Sequence, residues 1–254
     1  MVVPSVWEAH GEQIFYIPYQ YGAVYGPERL WNDKSAHKFF VDYWSYSIWT
    51  AIFYCLGVHI IERWMREHKT WNLRQPLIVW NAILAVFSLM GTIRMGEELK
   101  HTVTTRPLLD SISYSLDPKG PAAFWAFMFA ISKIVELGDT AFVLLRKKCL
   151  IFLHWYHHAV VLVYVWHSAS ELVAGGRWFI FMNYAVHSVM YTYYAITAGL
   201  AISCVVLYLK LHGKVMQQSF DNLALCFAIY ASFAFLFMRF FHKSYLAKKS
   251  KKTE

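Results

Sequence analysis

The sequence predicts an all-α polytopic membrane protein, a bundle of about seven transmembrane helices. Three observations predict it. Hydrophobic residues make up 57% of the 254 residues and charged residues only 16%, against roughly 25% charged in soluble domains. The apolar residues fall in long runs, and a helix that crosses a bilayer needs about 20 of them. The cations sit in short blocks between those runs, as in cytosolic loops under the positive-inside rule. A disordered chain would need low hydrophobicity, and the mean hydropathy here is +0.33. The net charge of +8 is not laid out as the basic stripe of a nucleic-acid-binding fold.

Residues 1–36 are mixed and aromatic-rich, and read as an N-terminal interfacial segment. The membrane domain is read over 37–245. Its first span is about 39–61, followed by the basic block Arg63, Arg66, Lys69 and Arg74. A second span is about 76–93, and a polar connection fills 94–120. Pro121 opens the third span, about 121–145, because proline suits the first turn of a helix. Arg146, Lys147 and Lys148 form a tight basic turn. A fourth span is about 150–167, and the loop with Gly175 and Gly176 leads into a fifth, 178–195. Apolar character then runs on to Leu209 without a polar loop. If 195–211 crosses back, the spans number seven and the basic tail 246–254 is cytosolic. If 178–209 is one tilted helix, they number six and the tail lies on the other side. The last span is about 223–241. No cationic segment precedes a short apolar core at the start, so the first apolar helix is expected to direct insertion. Cys55, Cys149, Cys204 and Cys226 show no paired or metal-like spacing and read as reduced packing residues.

Ionisable groups inside spans are costly and mark function. The third span carries Lys133, Glu136, Asp139 and Thr140, whose offsets of 0, 3, 6 and 7 place them near one face. A buried ion-pair network would use the same residues. The fourth span opens with His154, His157 and His158, at i, i+3 and i+4 on one face. Imidazole can bind metal, carry protons or act as a nucleophile. The fifth span presents Asn183, His187, Met190, Tyr191 and Tyr194 at one helical face. A di-iron oxidase needs several histidine boxes, and this chain has one. Spacing therefore favours acid–base or nucleophilic histidine over metal.

These residues resemble a known family. Lys133 to Thr140 is similar to the K-x-x-E-x-x-D-T motif of very-long-chain fatty acid elongases, the ELO family of 3-ketoacyl-CoA synthases. His154 to His158 resembles their H-x-x-H-H box, and Asn183 to Tyr194 their N-x-x-x-H-x-x-M-Y-x-Y-Y motif. Asn72, Leu73, Arg74, Pro76, Leu77 and Asn81 resemble the entry into their second helix. The likeness covers roughly 35–245, and its wording resembles the subgroup acting on saturated and monounsaturated chains. It implies a bundle around an acyl tunnel in the endoplasmic reticulum membrane. The reaction would join acyl-CoA and malonyl-CoA into 3-oxoacyl-CoA, CO2 and CoA, without metal or other cofactor. By resemblance His157 takes the acyl group as an acyl-imidazole, His187 assists, and Asn183, His154 and His158 orient the reacting groups. Lys133, Glu136, Asp139, Thr140, Tyr191 and Tyr194 support them, and Arg146 and Lys147 draw in CoA phosphates, although positive-inside anchoring accounts for that pair equally well. Implied partners are membrane lipid, other enzymes of the elongation cycle and a second copy of the chain, with no nucleic acid. Lys251-Lys252-Thr253-Glu254 resembles a cytosolic dilysine retrieval signal.

One departure stands out. The family follows its Tyr-Tyr pair with a basic loop and a glutamine-bearing helix, whereas here Tyr193-Tyr194-Ala195 runs straight into Ile196-Thr197. Gln217 and Gln218 come too late to substitute. The segment after Tyr194 is about two dozen residues shorter than the family's. The alternatives are therefore a catalytically impaired elongase-like isoform or partner subunit, and, further off, a metal-dependent membrane oxidase or a transporter or receptor.

Overall fold

The computed structural model describes residues 4–9, 11–150 and 152–211, with continuous side-chain detail ending at Tyr193. The expected last span, the tail, Gln217, Gln218 and the side chain of Tyr194 lie outside the described residues. The chain divides into two compact units. One comprises Met1–Leu73 and Leu89–Tyr184, the other Arg74–Ser88 and Ala185–Glu254.

The first unit begins with a departure from the all-α expectation. Strands β1 (Ser5–Ala9) and β2 (Glu12–Ile17) form an antiparallel hairpin, and β3 (Ser115–Leu116) joins β2 in parallel. The turn works because Gly11 takes φ +84°, which costs a residue without Cβ nothing. Alternation of Trp7, Ala9 and Tyr16 toward one side builds a small core. The Trp7 indole donates to Asp33 Oδ2 at 2.6 Å.

Helix α1 (Asp33–Tyr43) starts at Asn32, whose side chain accepts the Ser35 N–H at 2.9 Å, a standard N-cap. Helix α2 (Tyr46–Glu67) continues at 59° to it. Helix α3 (Arg74–Thr105) runs twelve residues past the expected end of the second span. Nothing breaks it before Arg106-Pro107, where the residue preceding proline is pushed out of the helical region. After the short α4 (Asp110–Ser113), Pro121 opens α5 (Pro121–Glu136) as expected. The third span is not one helix. It breaks at Leu137, and Gly138 starts α6 (Gly138–Leu145), glycine being the weakest non-proline helix former. Helix α7 (Phe152–Ser170) carries the histidine stretch. Helix α8 (Gly176–Leu211) is continuous over 36 residues, where two spans were expected at 178–195 and 195–211. Tyr194, Ala195, Ile196 and Thr197 supply no turn chemistry to divide it.

Within the first unit α2 packs on α6 and α7, and α1 and α5 pack on α7. Phe40, Ala130, Leu162 and Trp166 form that core. The outer faces are apolar: on α2, Phe53 is 68% exposed and Ile60 67%. Helix α3 is long and apolar enough to cross a membrane, and α1 with α2 passes as one bent span. Apolar residues on both sides of a helix fit a lipid surrounding.

Candidate active site

The buried polar chemistry in this chain starts from α5, where Lys133 is buried. Its ammonium donates to both Glu136 oxygens, at 2.8 and 2.9 Å, and to Asn183 Oδ1 at 3.0 Å. It also sits 4.1 Å over the Phe129 ring, a favourable cation–π distance. Ser132 Oγ lies 2.9 Å from the same Glu136 carboxylate. A buried charge persists only when paired and hydrogen-bonded, and this one is. Lysine only donates, so Asn183 must turn its carbonyl oxygen to Lys133 and its NH2 end away.

The helix break separates the four motif residues of 133–140 into two groups, one on each helix. Lys133, paired with Glu136, meets Asn183. Thr140, 1% exposed, instead faces α2 and α7. Its hydroxyl lies 2.7 Å from Tyr54 Oη and 3.2 Å from His154 Nε2. Asp139 falls in the first turn of α6, where a carboxylate suits the helix dipole.

The three histidines do cluster. The His154 and His158 rings are 4.7 Å apart, and His157 and His158 are 5.8 Å apart. His154 and His158 are half-buried and His157 is exposed. His158 lies within electrostatic reach of both Glu136 and Lys133, so it bridges the two groups. Among the described residues no group of three His, Cys, Asp or Glu is arranged to hold a metal ion.

In the second unit, His187 and Tyr191 meet edge-to-face at 5.3 Å. Within the first unit, the basic turn is tied to the loop after α2. Lys147 Nζ donates to the Arg66 carbonyl at 3.3 Å and the Trp71 N–H to the Leu145 carbonyl at 3.1 Å. Arg146 closes α6. The two basic blocks read separately in the sequence therefore meet in space.

Beyond Phe129 lies an apolar cavity of about 110 Å³. Phe129, Ala130, Val165, Ile180, Trp7 and Trp31 are among the residues that line it. Spacing pointed neither to the cavity nor to Tyr54. The segment before α1 is held by Arg94, which donates Nε to Glu28 Oε1 and Nη2 to Glu28 Oε2, each at 2.8 Å, and Nη1 to Glu97 at 2.9 Å. The Trp125 indole also donates to Glu28, at 2.8 Å. Burial disfavours the Glu28 carboxylate, but the bonds from Arg94, the Tyr25 N–H and Trp125 outweigh it and hold the group below its ordinary value. A second pair, Glu98 and Arg177 at 3.1 Å, is wholly buried.

Comparison with known proteins covers the same residues. A Caenorhabditis elegans protein named "Putative fatty acid elongase 4" is 40% identical over 260 aligned positions, 93% of this chain and 89% of the relative. Those positions outnumber the participating residues of this chain by about two dozen, so the relative carries residues with no counterpart here. "Very long chain fatty acid elongase 6" of Drosophila melanogaster is 40% identical over 80% of this chain and 75% of its own. The Homo sapiens protein of that name is 36% identical over 89% and 94%. The profile of the family described as "ELO: GNS1/SUR4 family" matches residues 39–200. That stretch holds the lysine–glutamate pair, the histidine cluster and Asn183 alike, and the chain belongs to the ELO (GNS1/SUR4) family.

Proposed function

We propose that this chain is the condensing enzyme of fatty acid elongation, a very-long-chain 3-oxoacyl-CoA synthase. The observation that carries the reading is the buried Lys133–Glu136–Asn183 cluster beside three clustered imidazoles, in a chain whose relatives are named fatty acid elongases. An imidazole nitrogen of His157 attacks the acyl-CoA carbonyl and CoA leaves as its thiol, giving an acyl-imidazole. Malonyl-CoA loses CO2 to an enolate, whose carbon attacks the acyl carbonyl. The imidazole leaves, and 3-oxoacyl-CoA is released. His187 assists at the thioester or enolate, and the Asn183 NH2 donates to the developing oxyanion. His154 and His158 orient the acyl-imidazole ring, while Glu136 keeps the Lys133 ammonium in place. Asp139, Tyr191 and Tyr194 support the CoA end. No metal or cofactor enters this scheme. Arg146 and Lys147, with Arg66, attract the CoA phosphates. The apolar cavity past Phe129 receives the far end of the acyl chain.

In the same reading the bundle lies in the endoplasmic reticulum membrane, and about seven spans with a cytosolic C-terminus require the continuous α8 to divide near residue 195. It works beside the other enzymes of the cycle, as one copy or several. A second reading, an impaired isoform or partner subunit, is favoured by one observation, the two dozen aligned positions this chain lacks.

The test is condensation in isolated membranes supplied with palmitoyl-CoA and labelled malonyl-CoA. Acyl-dependent 3-oxoacyl product that disappears in His157→Ala is expected. No product from folded protein across several chain lengths would select the second reading. Product that survives His157→Ala would remove the acyl-imidazole step.

A further inference from the structure

We propose that Tyr54 is a positioning residue for the histidine cluster, acting through Thr140 to fix which nitrogen of His154 carries the proton. The inference rests on the condensing-enzyme reading and goes beyond its three motifs, since Tyr54 lies in α2. Tyr54 Oη is 2.7 Å from Thr140 Oγ1, and Thr140 Oγ1 is 3.2 Å from His154 Nε2. Thr140 is 1% exposed, so its hydroxyl has no bulk water to turn to, and a buried hydroxyl takes the partners its site supplies.

The order of protons along the chain follows from the chemistry of its members. A phenol is a better donor and a poorer acceptor than an aliphatic alcohol, so Tyr54 donates to Thr140. The single Thr140 hydrogen is then turned to His154, and Nε2 must accept it. A neutral imidazole that accepts at Nε2 carries its hydrogen at Nδ1. The relay thus holds His154 as the Nδ1–H tautomer and fixes its ring, which lies 4.7 Å from the His158 ring; His158 in turn lies 5.8 Å from His157. Thr140 lies in α6, just past the break at Leu137, and its hydroxyl meets α2 and α7.

Tyr54→Phe removes only the first donor and keeps the ring between the helices. Its kcat is expected to fall about 3- to 10-fold, the range one neutral hydrogen bond supports, with KM for both substrates within about twofold. Thr140→Val should fall at least as far, and Thr140→Ser, which keeps the hydroxyl, should lose less. In the Thr140→Val background Tyr54→Phe should cost nothing further, because its only route to His154 is gone. Independently of turnover, 15N shifts of labelled His154 should report Nδ1–H and an accepting Nε2 in the wild type, and a mixture of tautomers in Tyr54→Phe. Tyr54→Phe with unchanged kcat per folded enzyme and lowered thermal stability would make the bond a helix–helix contact and overturn the proposal. So would additive losses in the double variant, or a wild-type His154 protonated at Nε2. Wild type without product would overturn the condensing reading, and the 15N shifts would still decide the relay.

Discussion

At the scale of single residues the site depends on one buried cation. Lys133 is held by Glu136 and Asn183, and the pair survives burial because each charge has the other. Lys133→Met takes the ammonium from a buried carboxylate, which costs about 3–5 kcal/mol, and thermal denaturation in detergent should show it. Lys133→Met with Glu136→Leu replaces both charges by apolar groups and should recover most of that stability while condensation stays lost. Recovery of activity in the double variant would show the pair to be scaffolding. Sequence spacing identified Lys133, Glu136 and Asn183, because polar residues at helical offsets in apolar runs are conspicuous. It did not show that Asp139 and Thr140 stand on a separate helix, since an ideal 3.6-residue period does not anticipate the Gly138 break. Tyr54 was illegible. A tyrosine in an aromatic-rich span has no offset partner, and its hydroxyl finds Thr140 across 86 residues of chain.

Helices meet here by contacts that two glycines separate clearly. A Cβ on Gly91 would lie 2.5 Å from the Tyr184 ring, whereas one on Gly57 meets nothing within 4 Å. Gly91→Ala should destabilise by about 1–3 kcal/mol, as overpacking does. Gly57→Ala, inside α2, should instead stabilise by about 0.5–1 kcal/mol. Melting temperatures of the two variants moving together would refute the contrast. The segment before α1 is an element of its own kind, pinned by Arg94 to Glu28. Because the Glu28 carboxyl titrates below its ordinary 4.5 when folded, its contribution is fully present above that value. It fades as pH falls through the lower folded value. Loosening of residues 19–31, followed by proteolysis or hydrogen exchange, should therefore set in below about pH 4.5. Glu28→Gln should remove that acid dependence. Composition made this segment look interfacial, since Trp, Tyr and charge alternate in it. Its hairpin partner, Ser115–Leu116, is two residues long and carries no strand signal.

For the molecule as a whole, the apolar runs announced the helices, whereas the absent polar loop after Tyr194 left one helix or two open, and the structure has one, α8. The Caenorhabditis elegans relative's two dozen additional aligned positions equal that shortfall in number. Insertion of the corresponding segment of the Caenorhabditis elegans relative after Tyr194 is expected to divide α8 and raise condensation above that of the present chain. Equal activity with and without the insert would show the segment to be dispensable. The three-stranded sheet has a bearing on biosynthesis. Its hairpin leaves the ribosome well before the strand that completes it, which pairs Ser115 with Tyr16 and follows roughly a hundred residues later. The hairpin thus waits, edge exposed, for helices α1 to α4 to be translated before it can dock. A nascent chain arrested before Ser115 should leave Trp7 open to a quencher, and one arrested after Arg177 should shield it.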